Sequence, residues 1–224
     1  EYIAYTLRPK YPIPVFGVSI VNRFVDAVNT YGDMPVKKTN MPGKNVNLSE
    51  TKGDKFIYAN IKTARLDGIK PKLHINYSDS PLGFNGETKL VLPHKMYGFP
   101  FLDSKGEYGI SNRDNYVIDN YNEEELCIIK EFLSTKTALY IYEATRYRMK
   151  YLEKYAFLFL PDVTNIAGLV AKRPITDQTI ASYFGLDALD SMHIERLHKK
   201  TYDFYYSKLF IVYHKSPVKM EQTK

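Results

Sequence analysis

The chain has 224 residues, 31 Lys and Arg against 25 Asp and Glu for a formal charge of +6, and an apolar fraction of 44%. Those proportions are globular values that suit one large core or two modest ones, so disorder is not the default. No apolar run approaches the roughly 20 residues of a membrane helix and no signal-like N-terminus is present, so a soluble protein without a membrane partner is expected.

Pro9, Pro12 and Pro14 forbid a regular helix at the start and predict an extended entry. Val18, Ile20, Val21, Phe24, Val25 and Val28 then recur at helical spacing, predicting a helix over 18–30 that ends at Tyr31-Gly32-Asp33. Residues 34–54 hold Pro35, Pro42, Gly43, Gly53 and Lys37-Lys38 with little apolar content, and a long, mobile, basic loop is expected there. Phe56, Tyr58 and Asn60 alternate with Ile57, Ala59 and Ile61, and Leu73, Ile75 and Tyr77 with His74 and Asn76, which predicts strands parted by a turn at Leu66-Asp67-Gly68.

The stretch 89–118 is the densest in chemistry. Leu90-Val91-Leu92 reads as a strand, followed by His94, Lys95 and Tyr97, a reversal at Ser104-Lys105-Gly106, and a polar knot at 111–115 between Ile110 and Tyr116-Val117-Ile118. The period then changes. Asn122 with Glu125 has capping-box spacing, and Leu126, Ile129, Phe132 and Leu133 make an apolar helical face. A second helical run over 136–154 carries Leu139, Tyr142, Tyr147 and Tyr151 on one side and Arg146, Arg148, Lys150 and Lys154 elsewhere, which reads as a solvated face or as a grip on phosphates. Thr176 and Asp187 are N-caps of two further helices, the first stopping at Gly185, and Leu209–Tyr213 reads as a last strand before a frayed tail.

The fold class expected is α+β, with a short-stranded mixed or antiparallel sheet in the first two thirds and a helical C-terminal part, divided as 1–85, 86–206 and 207–224. There is no internal repeat.

Neither G-x-G-x-x-G nor G-x-x-x-x-G-K-S/T occurs, G-x-S-x-G is absent, and the five histidines fall into no metal pattern. The single cysteine, Cys127, cannot form an internal disulfide; flanked by Leu126 and Ile128 it reads as a small buried thiol in a reducing, cytoplasmic compartment. Glu87-Thr88-Lys89 has the E-x-K form of metal-dependent nucleases, with Asp79 upstream as the further ligand. The 20 tyrosines reflect either a base-biased genome or a stacking surface.

Lys89-Leu90-Val91, then Phe99-Pro100, then Asp103 with Gly106 and Tyr108, then Ser111-Asn112, form a succession that resembles the target-recognition region of adenine-specific DNA methyltransferases, notably fused restriction-modification enzymes. Phe132-Leu133-Ser134-Thr135-Lys136, Phe159-Leu160-Pro161-Asp162, and Ile175-Thr176-Asp177 leading to Tyr183-Phe184-Gly185-Leu186 continue the resemblance in order across roughly 86–206. The family's catalytic N/D-P-P-Y/F motif and its F-x-G-x-G cofactor loop are both missing. The resemblance therefore implies a non-catalytic reading half. No cofactor is expected in this chain; S-adenosylmethionine and methyl transfer belong to a catalytic domain or partner subunit that is elsewhere or lost, and part of a longer protein and a trimmed product both stay open for the chain.

On that reading the partner is double-stranded DNA. Lys95, Asn112, Arg113 and Asn115 are the candidate base-edge contacts, since Arg and Asn pair bidentately with guanine and adenine, and Tyr97 is a wedge or stacking residue. Lys37, Lys38, Arg146, Arg148, Lys150 and Lys154 are the candidate phosphate contacts. Ordinary turn chemistry is the alternative for the polar knot, with Arg113 paired to Asp114 or Asp119. Two other functions stay open: a metal-dependent nuclease using Asp79, Glu87 and Lys89, and a structural or assembly subunit that keeps the fold.

Overall fold

The first helix, α1 (Val18–Tyr31), forms where the apolar stripe predicts it. Ile20, Val21, Phe24, Val25 and Val28 share one face of a 3.6-residue period and are buried together. The structure, a computed structural model, describes residues 4–7, 9, 11–67, 70–94, 99–146 and 152–197.

Eight strands follow among the described residues: β1 (Lys37–Lys38), β2 (Leu48–Ser49), β3 (Tyr58–Asp67), β4 (Lys70–Ser78), β5 (Lys89–Pro93), β6 (Phe101–Asp103), β7 (Gly109–Ile110) and β8 (Asn115–Ile118). They make two four-stranded sheets, one ordered β1-β8-β5-β6 and the other β2-β4-β3-β7. The first is antiparallel throughout; in the second, β3 and β7 run parallel.

Alternation along β5 and β8 sorts the core into layers. Leu90, Leu92, Tyr116 and Ile118 join α1 and the later helices in the main core. Val91 and Val117, on the opposite face, join Ile61 and Ile110 of the second sheet in a smaller one. The first sheet is thus covered on both sides, which is why Leu90-Val91-Leu92 is continuously apolar and all five β5 positions are buried, Lys89 included.

The stretch 34–54 is not a continuous loop. β1 pairs with β8, Lys37 opposite Val117 and Lys38 opposite Tyr116, and β2 pairs with β4 through Leu48 and Ser49. Short edge strands take their order from backbone bonds to a neighbour and need no apolar alternation, so the pattern carries no trace of them.

The helical part begins at α2 (Glu123–Leu133). Its capping box closes as expected, Glu125 N–H donating to Asn122 Oδ1 at 3.0 Å and Asn122 N–H to Glu125 Oε2 at 2.8 Å. The next helix, α3 (Lys136–Ala144), is shorter than the expected run to 154. The Thr145 hydroxyl donates back to the Ile141 carbonyl at 2.8 Å where the helix ends. Thr137 to Ala144 are all buried, so α3 has no charged outer face. A 3₁₀ segment over Lys154–Phe159 then buries Ala156, Phe157 and Phe159, followed by α4 (Ala167–Val170), α5 (Asp177–Phe184) and α6 (Ala188–Glu195). Thr176, Gly185 and Asp187 cap α5 and α6 as expected. Asp177 also reaches across the sequence to cap α3, accepting from Lys136 N–H at 3.2 Å and from Thr137 N–H and hydroxyl at 2.7 Å each.

The architecture is α+β, as expected: a helical layer over an antiparallel sheet over a second, mixed sheet. α1 shares a core with β5 and α2, so the division at 85/86 cuts the sequence and not the packing. The strand expected at Leu209–Tyr213 and the segment 207–224 lie outside the described residues. Among the described residues no helix is long and apolar enough to cross a membrane.

Candidate functional site

The polar knot of residues 111–115 becomes the turn from β7 into β8, and its backbone is anchored on three sides. Ser111 N–H donates to the Ile61 carbonyl at 3.1 Å and its hydroxyl to Asn76 Oδ1 at 2.7 Å, both on the second sheet. The Thr39 hydroxyl, just beyond β1, lies 2.6 Å from the Asn112 carbonyl and 2.9 Å from that of Asn115. Asn112 Oδ1 accepts the Asp114 N–H at 3.2 Å, the Asx bond that shapes a tight turn.

These anchors separate the candidate readers. Asn115 is removed from them: it is 1% exposed, its Nδ2 donates to the Lys62 carbonyl at 3.2 Å and to that of Asn112 at 3.3 Å, and it ties the turn to β3. A base edge cannot reach it without breaking those bonds. Asn112 is half-buried, with its Nδ2 unbonded to any described residue. Arg113 is exposed at the tip of the turn. The pairing expected from turn chemistry does not form, because Asp114 lies 3.9 Å from His94 Nδ1 and Asp119 holds Lys37 at 2.8 Å. Arg113 makes no ion pair with any described residue.

Lys38 is exposed on the neighbouring edge strand, opposite Tyr116, whose ring meets that of His94 edge-on at 5.5 Å. Burial pushes the His94 imidazole below its ordinary pKa, and the charge of Lys38 adds to that against the opposing pull of Asp114. Lys37 and Lys154, 117 positions apart in sequence, border one cleft of about 550 Å³ with Asp33, Asp119 and Asn120 around an apolar floor that includes Met34, Val36 and Phe157. Tyr121, at the same cleft, donates to Asp162 at 2.6 Å; burial and that bond raise its hydroxyl pKa.

Arg146 is also removed as a phosphate contact. Its side chain is 13% exposed and its Nη2 sits 2.6 Å from Glu143 Oε2, itself 6% exposed, so the guanidinium neutralises an interior carboxylate. Lys95, Tyr97, Arg148 and Lys150 lie outside the described residues. The residues bordering those two segments, His94 and Leu152, are joined by a 2.9 Å bond from Leu152 N–H to the His94 carbonyl.

The E-x-K pattern does not assemble. Lys89 is fully buried, its Nζ 2.6 Å from Asp103 Oδ2 and 3.0 Å from the backbone carbonyl of Glu87, while the Glu87 carboxylate is at the surface. An ammonium spent inside on Asp103 cannot stabilise charge beside that carboxylate. Asp79 is exposed and engaged by Asn47, whose amide lowers its pKa. Among the described residues no three His, Cys, Asp or Glu side chains converge to hold a metal. Cys127 is half-buried on α2.

Two features escaped the sequence. Thr39, which staples the turn, has no motif to mark it. The cations Arg65, Lys70 and Lys72 gather on one face of the β3–β4 ribbon, and only the alternation of Lys70, Lys72 and His74 hinted at that.

In comparison with known proteins the chain matches no family model, no curated protein and no solved structure.

Proposed function

We propose that this chain is a duplex-DNA recognition module, the non-catalytic target-reading part of an adenine-specific DNA methyltransferase or restriction-modification enzyme. The observation that carries the reading is Arg113: an exposed guanidinium with no carboxylate of its own among the described residues, on a turn whose backbone is bonded to both sheets. A forked donor carried at the surface on a turn with an anchored backbone suits bidentate contact with a guanine edge. Asn112 stands beside it with its Nδ2 available, and Lys38 supplies a phosphate contact from β1. Asn115 and Thr39 position the turn. S-adenosylmethionine belongs to a separate catalytic domain or subunit, because no F-x-G-x-G loop or N/D-P-P-Y/F motif is present to hold it or the target adenine.

The test is selection from a random duplex library at physiological salt, followed by titration of the preferred site against scrambled duplex. Arg113→Ala should cost roughly 1–3 kcal/mol on the preferred site and blur one base position, whereas Lys38→Ala should weaken all sequences alike. Equal losses on preferred and scrambled duplex for Arg113→Ala would remove the readout. Failure of the wild-type chain to bind any duplex above nonspecific levels, with co-purification of a fixed partner, would favour an assembly subunit instead.

A further inference from the structure

Among the described residues, the outer halves of β3 and β4 pair with nothing but each other. β2 reaches β4 only at Tyr77 and Ser78, and β7 reaches β3 only at Asn60 and Ile61, so over Thr63–Asp67 and Lys70–His74 the described part of the second sheet is a two-stranded ribbon. The register shifts at Lys62; beyond it Thr63 lies opposite His74, Arg65 opposite Lys72 and Asp67 opposite Lys70. Cross-strand partners project to the same side. One face therefore presents Thr63, Arg65, Asp67, Lys70, Lys72 and His74, all but Thr63 exposed and with Asp67 the one carboxylate among them, while on the other Ala64 is buried and Leu73 packs on the core of Ile61 and Val91.

That face is short of counter-charge. Asp67 lies 3.9 Å from Lys72 with both side chains more than half exposed, and Arg65 and Lys70 make no ion pair with a described residue. Like charges set directly opposite, as Arg65 and Lys72 are, weaken the ribbon on its own; a phosphate seated between them turns the repulsion into two attractions. The ribbon also starts at the turn that carries Arg113. Ser111 is bonded to Ile61 and Asn76, and Asn115 to Lys62, so Arg113 stands at its base. From there successive side chains on the charged face follow at about 7 Å along the strand.

We propose that the charged face of the β3–β4 ribbon is a second duplex contact, gripping backbone phosphates to one side of the base pairs met by Arg113. The proposal rests on the DNA-recognition reading and adds to it where the protein holds the flanking duplex. Lysine and arginine with no amide side chain among them fit phosphates, which they position without reading sequence.

The experiment measures duplex affinity of the full chain against salt for the wild type and for Arg65→Gln combined with Lys72→Gln. Each phosphate contact contributes about 0.9 to the slope of log affinity against log salt, so the double variant should lose roughly two units of slope and weaken equally on preferred and scrambled duplex. The charge-keeping exchange Arg65→Lys with Lys72→Arg should retain the slope. Lys172→Gln with Arg196→Gln, which removes the same charge from the exposed helical side, should retain it too. If the wild type binds duplex and Arg65→Gln/Lys72→Gln keeps its slope, or the helical-side pair lowers it equally, the ribbon contact is overturned while DNA recognition stands. If the wild type shows no salt-dependent duplex binding, both fall together.

Discussion

Lys89 and Asp103 form a buried ion pair at 2.6 Å with side-chain exposures of 0% and 2%, and replacing either one tests whether it is structural. Lys89→Met keeps most of the stem and removes the ammonium. Asp103 then stays buried with two donors, the N–H groups of Glu107 at 2.9 Å and Tyr108 at 3.1 Å. Removing one partner of a buried pair costs about 3–5 kcal/mol, and those two donors place Lys89→Met near the lower figure. Asp103→Leu is worse. It strands an ammonium whose remaining bond is to the Glu87 carbonyl at 3.0 Å, and it frees the turn after β6, so a loss at or above the upper figure is expected. The assay is urea unfolding followed by circular dichroism, with a thermal melt alongside. In a chain of this size about 1 kcal/mol moves Tm by roughly 2–4 °C, so Lys89→Met should melt roughly 6–12 °C lower. A loss under about 1 kcal/mol, or an Asp103→Leu variant milder than Lys89→Met, would refute the reasoning. A Lys89→Met chain of full stability that has lost a magnesium-dependent cleavage present in the wild type would return Lys89 to the nuclease reading.

Asp177→Ala removes the side chain that caps α3 from a distance, and a loss of about 2 kcal/mol in urea unfolding is expected, at the upper end for a helix cap; Asp177→Asn, which keeps one acceptor, should lose less, and equal stabilities for all three chains would contradict the cap. Gly106→Ala forces a Cβ onto a residue at φ 65° and within 2.5 Å of the Gly86 carbonyl carbon, so a loss of about 1–3 kcal/mol is expected, checked by the same melt. His94 has a folded pKa below its ordinary value, so the unfolded chain binds the proton more readily; stability is whole above about pH 6.5 and declines as pH falls from there through the folded value. His94→Gln should flatten that decline, and a nuclear magnetic resonance titration placing the imidazole at or above 6.5 would show the sign to be wrong.

Local chemistry was legible wherever a neighbour within one helical turn decides the outcome. The stripe of α1, the Asn122–Glu125 box and the caps at Thr176 and Asp187 depend on residues three or four positions apart, and they form as read. The run β5 was legible because burial on both faces leaves a continuous apolar mark. What the sequence could not reveal are outcomes settled by partners far along the chain. β1 and β2 are ordered by β8 and β4, α3 is capped from afar by Asp177, and Lys89 is drawn inside by Asp103. Arg113 and Asn115 make the same point at the candidate site. Both are side chains that could pair with a base, two positions apart in one polar turn. Tertiary structure alone separates them, because Lys62 and Thr39 bond the second inward and leave the first at the surface, and no periodicity within the turn encodes a partner 53 or 76 residues away.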